Sequence, residues 1–270
     1  MMKMNIVLVT FLVAACQVFA EEINYNAPAN WSLLHPRFQY QPEAKSEGIL
    51  SVSGCRFLYS DPAVEFSKDK KYRFSGSFRK SGTEPAKLFF GLAFYDEKGR
   101  RFDFANSNAE ANSDTEMTED AKKGDTVFRI KNGKGWQKYK GCIIALNTMP
   151  DYSDLPNFNL IRIPIKSVTE ADGNWTVTLS KPLSVNISAG TPVRLHRPGG
   201  TFYIVANRKL RASWLKFESR VLSGITDGPG LVEKGLFPRG TKTFRLLVIA
   251  NLGLKNESTV EFKEVKLIEE

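Results

Sequence analysis

Alternation between apolar and polar side chains constrains the fold of this sequence more than any other feature. In residues 72–79, Tyr72, Phe74 and Phe78 fall on one face and polar residues fall on the other, as in a half-buried strand. Residues 88–95 are apolar on both faces, which is typical of a central strand in a sandwich. Because no stretch keeps an apolar spacing of three and four residues, we expect helices to be few and short.

The remaining strand-like segments are separated by clusters of Gly, Pro, Asn and Asp. Further strands are predicted at residues 127–130, 143–146, 160–165, 175–179, 193–196, 202–206, 214–220, 244–250 and 260–267, and residues 163–179 have the pattern of a hairpin. Residues 107–125 are polar and acidic without a period, so we predict a surface loop there.

This pattern predicts an all-β fold. We expect a jelly-roll β-sandwich built from residues 21–120 and 201–270, because the strands between them are shorter and more closely punctuated. Residues 121–200 would then form a small inserted β subdomain. Two consecutive β domains are the alternative.

The first 20 residues have the composition of a secretory signal peptide, with Lys3 followed by an apolar run too short to span a membrane. Cleavage after Ala20 is expected, but residues 13–16 also fit a bacterial lipoprotein box, which makes Cys16 a candidate for lipidation. We therefore expect a bacterial protein that is secreted, periplasmic or on the cell surface, with membrane contact only through a lipid on Cys16.

The net charge limits the binding partners that we expect, and the cysteine content limits the disulfides. The net charge of +9 falls to +8 when Lys3 is removed with the signal, and a basic surface can favour anionic polymers. The basic residues are spread along the chain and export argues against nucleic acid, so no nucleic-acid partner is expected. In an oxidising compartment Cys55 and Cys142 either pair as a long-range disulfide or stay as two unpaired thiols.

Three parts of the sequence carry a family resemblance: residues 30–33 with 48–52, residues 71–79 with 90–99, and residues 214–224 with 240–251 and 260–267. In order and spacing they resemble the jelly-roll carbohydrate-binding modules of the galactose-binding-like superfamily that are attached to bacterial xylanases and cellulases. The resemblance implies a sugar-binding concave face or edge loop, and often a structural calcium held by an acidic residue of the last strand. This chain departs from the family's acidic pair, because Lys263 stands at its first position and Glu264 at its second. No cofactor is therefore predicted, and a structural calcium stays an alternative.

A sugar-binding surface needs flat rings to stack on pyranose faces and planar polar groups to meet hydroxyls. Trp214 and Tyr95 lie out of phase with their apolar neighbours, and Arg73 and Arg79 share the polar face of one predicted strand, where they would suit a uronate or sulfate. Core packing or surface solvation explains each of these residues equally well. The predicted ligand-binding residues are Trp214, Tyr95, Arg73, Arg79 and Asn251, with Arg245 and Tyr203 as weaker candidates and Trp31, Trp136 and Trp175 assigned to the core or a hairpin.

Groups for catalysis are few. The two histidines, His35 and His196, have no metal-site spacing, and there is no nucleophile elbow or phosphate-binding glycine loop. Asp151 and Asp154 could form a carboxylate pair, although a Pro-bounded Asp-rich loop is more often a turn. We therefore predict a non-catalytic protein that binds a polysaccharide, acidic glycans included; the alternatives are a structural or adhesive cell-surface protein and, less favoured, a polysaccharide-degrading enzyme.

Overall fold

A computed structural model of the protein describes residues 20–32, 41–137, 140–228, 235–255 and 257–270. The signal segment up to residue 19, the lipidation candidate Cys16 and His35 lie outside these residues. In the described ranges, no helix combines the length and the apolar character needed to cross a membrane.

Nearly all regular structure is β, which confirms the all-β class. The described helical segments are α1 (Phe104–Ser107) and the 3₁₀ turns Pro28–Asn30 and Lys134–Trp136, so the expectation of few, short helices is also confirmed. In chain order the strands are β1 (Glu21–Asn24), β2 (Trp31–Ser32), β3 (Glu43–Ser46), β4 (Ile49–Ser53), β5 (Arg56–Ser60), β6 (Val64–Glu65), β7 (Lys71–Ser81), β8 (Lys87–Tyr95), β9 (Arg101–Phe102), β10 (Thr115–Glu116), β11 (Val127–Ile130), β12 (Ile143–Leu146), β13 (Leu160–Ile161), β14 (Ile165–Ala171), β15 (Asn174–Leu179), β16 (Pro192–His196), β17 (Phe202–Lys209), β18 (Leu215–Glu218), β19 (Leu222–Ser223), β20 (Thr243–Ala250) and β21 (Thr259–Glu269).

Two larger sheets form a sandwich. Sheet A has the order β18-β7-β21-β4-β3, with β1 beside β21 and β19 beside β7. Sheet B has the order β17-β8-β20-β5-β2, with β6 beside β20 and β9 beside β8. Strands that follow one another in the chain, such as β7 and β8 or β20 and β21, hold matching positions in the two sheets. This mirrored order is the one expected of a jelly roll, and we interpret the sandwich in that way.

Aromatic side chains fill the space between sheets A and B. Phe74 and Phe78 of β7 meet Phe90 of β8 with ring centroids 5.2 and 4.9 Å apart, and none of the three is more than 1% exposed. Burial of each such ring contributes about 2–3 kcal/mol. The polar-apolar alternation of residues 72–79 is therefore explained by this core.

Two smaller sheets, C (β10-β16-β12-β13) and D (β11-β15-β14), lie between the sandwich strands β9 and β17 in the sequence. They enclose a second core that contains Phe128, Trp136 and Leu195. The predicted hairpin is present as β14 and β15, whose turn residues Asp172 and Gly173 both have positive φ, the conformation that two-residue hairpin turns require.

The chain leaves the sandwich and returns to it at adjacent positions. Ala109 forms an isolated bridge with His196, and the Arg197 N–H donates to the Asn108 carbonyl over 2.9 Å. Residues 109–196 are therefore joined to the sandwich through two hydrogen-bonded chain segments, which we call the neck. We interpret this unit as an insertion.

Residues 118–125 are largely exposed, as the predicted surface loop requires, but the first part of that segment, residues 107–117, is largely buried. Asn108, Ser113 and Met117 are at most 3% exposed. The Ser113 hydroxyl donates to the Glu110 carbonyl over 2.6 Å and accepts from the Leu195 N–H over 3.1 Å. The polarity of this segment reflects internal hydrogen bonding rather than solvation.

Of the two alternatives for Cys55 and Cys142, the structure has the unpaired thiols, since both cysteines are free. Cys142 is buried in the second core, whereas Cys55 is half-buried in the turn between β4 and β5 of the sandwich. Burial raises the pKa of the Cys142 thiol to about 11, so this thiol stays protonated and unreactive near neutral pH.

Candidate functional site

The outer face of sheet B carries a cluster of aromatic side chains. Successive residues of a strand point to opposite faces, so Phe90 and Phe94 of β8 enter the sandwich core while Phe89 and Tyr95 point outward. The same alternation in the other strands completes the cluster, which we call the aromatic platform: Phe57, Tyr59, Phe89, Tyr95, Tyr203, Leu247 and Ile249.

Strand register aligns the platform in rows across the sheet. Ile249 of β20 is paired with both Phe89 of β8 and Phe57 of β5. In the next row, Leu247 is paired with Gly91 and Tyr59. The Phe57 and Phe89 rings are half-buried, whereas Leu247 and Ile249 between them are at most 1% exposed. The aromatic rings therefore form the exposed part of the platform.

Tyr203 extends the platform onto the neighbouring strand β17. It is paired with Gly91, and its ring lies 5.3 Å from the Phe89 ring in an edge-to-face arrangement. A Cβ at Gly91 would lie 1.8 Å from the Phe202 carbonyl oxygen. Glycine is therefore required at this position for β17 to approach β8 and bring Tyr203 beside Phe89.

Polar groups border the platform on the side of Tyr95. The exposed Arg101 donates to the Tyr59 hydroxyl over 2.7 Å and to the Thr201 hydroxyl over 3.0 Å. Arg245 lies beside Ala93 in the sheet and donates to Asp61 over 2.8 Å. Burial raises the pKa of Tyr59 and raises that of Tyr95 to about 12. Both phenols are consequently neutral near pH 7 and can donate or accept hydrogen bonds.

Trp214 and Arg79 lie together, but on the outer face of sheet A. The Arg79 guanidinium carbon is 4.5 Å from the centroid of the indole, and the Lys263 ammonium is 5.1 Å from it. Arg79 also donates to Glu261 through Nε over 2.7 Å. The indole and the guanidinium are therefore already engaged by neighbouring side chains.

The remaining predicted residues do not join this pair. Arg73 is on the same strand as Arg79 but forms an ion pair with Glu270 over 2.5 Å. Asn251 is 0% exposed, and its side chain bonds to the Lys87 N–H and to the Gly54 and Ser258 carbonyls. The prediction of Asn251 as a ligand-binding residue is corrected, because no part of it reaches the surface. Of the five predicted residues, only Tyr95 belongs to the aromatic platform.

One of the two acidic candidates, Asp154, lies in a cluster around the buried Arg194 of the unit with sheets C and D. The Arg194 side chain is 0% exposed and donates to Asp154 over 2.6 Å and to Asp114 over 3.2 Å. Burial opposes ionisation of Asp154, but hydrogen bonds from Arg194 and Asn157 outweigh it and lower its pKa; burial raises the pKa of Asp114. Asp151 accepts bonds from Ser153 within its own turn.

These carboxylates do not converge on one substrate site. Asp114 lines a depression of 550 Å³ with Met149 and Pro150, whereas Asp154 lines a different depression of 410 Å³ with Arg100 and others. A glycosidase needs its two carboxyl groups on either side of one scissile bond. The cluster therefore attaches the loop that follows β12 to strand β16.

No group of three or more His, Cys, Asp or Glu side chains in the described part of the chain is arranged to hold a metal ion. Glu264, at the second position of the acidic pair that the resemblance implied, accepts a hydrogen bond from Ser77 over 2.9 Å and is paired with Lys263. These contacts hold its carboxylate within sheet A.

Sequence reasoning missed Phe57, Tyr59, Phe89 and Arg101 as members of this surface. The signal that could have found them is the occurrence of aromatic residues at alternate positions in strands that are apolar on both faces, as in residues 57–59 and 88–95. Alternation shows that two aromatic sets exist, but it does not show which set faces the other sheet.

Comparison of the chain with protein-family models, with curated proteins and with solved structures finds no match.

Proposed function

We propose that the chain is a non-catalytic carbohydrate-binding protein and that the aromatic platform of sheet B is its glycan-binding surface. The observation that carries the proposal is the alignment of half-buried rings on adjacent strands, with Tyr203, Phe89 and Phe57 spread across sheet B. Flat rings in this arrangement provide stacking surfaces for successive sugar residues along an extended chain.

Polar groups at the platform favour a sugar over a purely apolar partner. The Arg101 guanidinium and the Tyr59 hydroxyl are hydrogen-bonded to each other at its border, and both are suited to meet sugar hydroxyls. An exported location, on the cell surface, in the periplasm or secreted, is part of the same proposal and rests on the signal-like residues 1–20.

Affinity electrophoresis of the protein through gels that contain single neutral or acidic polysaccharides tests the proposal. We expect retardation by at least one polysaccharide. Tyr203→Ala should lower the affinity about tenfold, because it removes a half-buried stacking ring, and this ratio corresponds to about 1.4 kcal/mol. Val185→Ala is the control, since it removes an exposed apolar side chain of the inserted unit.

Trp214→Ala in the same experiment discriminates between the two outer faces of the sandwich. We expect it to retain the affinity of the unaltered protein, because its ring is engaged by Arg79 and Lys263. Loss of binding in Trp214→Ala with normal binding in Tyr203→Ala would move the site to sheet A. Retardation by none of the polysaccharides would favour the structural or adhesive alternative.

A further inference from the structure

Two lysines stand directly opposite each other at the end of the aromatic platform. Lys209 of β17 is the register partner of Lys87 of β8. Lys87 is two residues before Phe89, so its side chain points to the same outer face. Side chains at directly opposed positions are about 5 Å apart at Cβ, and like charges there destabilise the sheet.

No carboxylate relieves this repulsion within the described part of the chain, where neither ammonium is joined to an acidic group by a salt bridge. Further positive charge lies next to the pair. Arg208 and Arg211 are exposed and line, together with Lys209, an open depression of 510 Å³ whose lining contains no acidic residue. Arg208 is paired with the core-facing Leu88, so it is opposite in phase to Lys209. We call Lys87 and Lys209 the basic end of the platform.

A purely structural explanation accounts for only part of this arrangement. Lysine on an exposed edge strand prevents unwanted pairing with other chains, and β17 is at an edge of sheet B, so this accounts for Lys209. It does not account for Lys87, because β8 lies inside the sheet between β17 and β20. Lys87, the half-buried first residue of β8, places a second ammonium at the same end of the platform as Lys209.

We infer that the basic end binds the anionic substituent of an acidic polysaccharide, a uronate carboxylate or a sulfate ester, whose sugar rings lie on the platform. This inference rests on the proposed glycan-binding function and specifies its substrate class. The Lys87 row is two residues from the row of Phe89 and Ile249, about 7 Å along the strand. Stacking and ion pairing can therefore act on neighbouring parts of one glycan chain.

Matched polysaccharides that differ in charge test the inference by affinity electrophoresis. The probes are polygalacturonate with its methyl ester, and dextran sulfate with dextran, so each backbone is compared with and without its anionic group. We expect stronger retardation by the charged member of a pair and a decline of this excess with added salt, since exposed charges are screened. The carboxylate and sulfate pairs distinguish the two anionic groups.

The variant Lys87→Gln with Lys209→Gln should lower the affinity for the charged polysaccharide about fivefold and leave retardation by a neutral one unchanged. Lys45→Gln with Lys216→Gln is the matched control, because it removes two exposed lysines from sheet A. An equal loss in this control would show an effect of net charge alone and would overturn the inference.

Two further outcomes separate the inference from the proposed function. Equal retardation by the charged and uncharged members of both pairs would overturn the acidic specificity while glycan binding stands. Retardation by no polysaccharide would overturn the proposed function itself. A separate measurement tests selectivity among polyanions: stronger retardation by duplex DNA than by polygalacturonate would overturn the inference in favour of a general polyanion site.

Discussion

Asn251 shows how one residue can connect three segments of the sandwich. Its backbone is in the left-handed region, with φ 56°, which asparagine tolerates better than most residues. Its side-chain oxygen accepts from the Lys87 N–H, and its side-chain nitrogen donates to the Gly54 and Ser258 carbonyls. The residue thereby joins the ends of β20, β8 and β4 beneath the surface.

Asn251→Ala should lower the free energy of unfolding by about 2–4 kcal/mol, because the Lys87 N–H and the Gly54 carbonyl lose their side-chain partner and the Ser258 carbonyl keeps only the Gly54 N–H. Urea denaturation followed by circular dichroism measures the change. Asn207→Ala is the control: Asn207 also has a positive φ of 53° but is exposed, so its loss is expected to be about 1 kcal/mol from the backbone alone. Equal losses in both variants would contradict the role assigned to the Asn251 amide.

At the residue scale, the sequence alone identified which side chains point away from the core, but not which side chains they contact. Arg79 and Trp214 are on the polar side of their strands as predicted, yet Glu261 and Lys263, which engage them, come from the distant strand β21. Asparagine is a residue typical of turns, and only the packing of β4 and β8 around Asn251 shows that it is buried. Such partners are set by tertiary structure, which local pattern does not contain.

At the scale of elements, long strands with a clear apolar pattern were predictable, whereas the structure of polar segments was not. Residues 72–79 and 88–95 correspond to β7 (Lys71–Ser81) and β8 (Lys87–Tyr95), because both pattern and length are strong there. Residues 107–117 were misassigned as exposed, since burial of polar residues depends on hydrogen bonds to distant strands such as β16. Polarity by itself does not distinguish a solvated loop from an internally bonded one.

The end of β16 contains a titratable contact between elements. His196 is 0% exposed, and its Nδ1–H donates to the Ala105 carbonyl of α1 over 2.7 Å. Burial, followed by the nearby Arg194, lowers the pKa of His196 from 6.5 to about 4, although the bond to Ala105 and the charge of Asp154 act in the opposite direction. The folded protein therefore favours the neutral imidazole.

Because the folded-state pKa lies below the unfolded one, His196 contributes stability that is complete above pH 6.5 and is lost as the pH falls towards 4. Between about pH 7 and about pH 5 this group alone should remove about 2 kcal/mol from the free energy of unfolding. Urea denaturation of His196→Gln at both values should show a correspondingly smaller pH dependence. An unchanged pH dependence would assign the acid sensitivity to other groups.

At the scale of the whole molecule, the two hydrophobic cores are separate. One lies between sheets A and B, and the other is enclosed by sheets C and D. The contacts between the two units include polar ones, such as the Asn106 amide with the Asn157 carbonyl and Arg162 with Asp103. The order of the sheets could not be derived from the sequence, since strand pairing is not encoded in local alternation.

Replacement of residues 109–196 by a short Gly-Ser linker should leave a folded sandwich, because Asn108 and Arg197 are already hydrogen-bonded at the neck. The shortened protein should unfold cooperatively and retain the affinity of the full chain for its polysaccharide, since the platform lies on sheet B. Circular dichroism and affinity electrophoresis measure both properties. A shortened chain that does not fold would show that the second unit supports the sandwich.

The neck also has a consequence for the order of folding. Strand β17 must pair with β8 across the whole of residues 109–196, and closing so long a gap in an open chain is entropically costly and slow. If the unit with sheets C and D forms first, it holds its two ends side by side at Ala109 and His196. The gap that remains between Leu92 and Phe202 then consists only of residues 93–108 and 197–201, so early local structure prepares the long-range pairing that completes the platform.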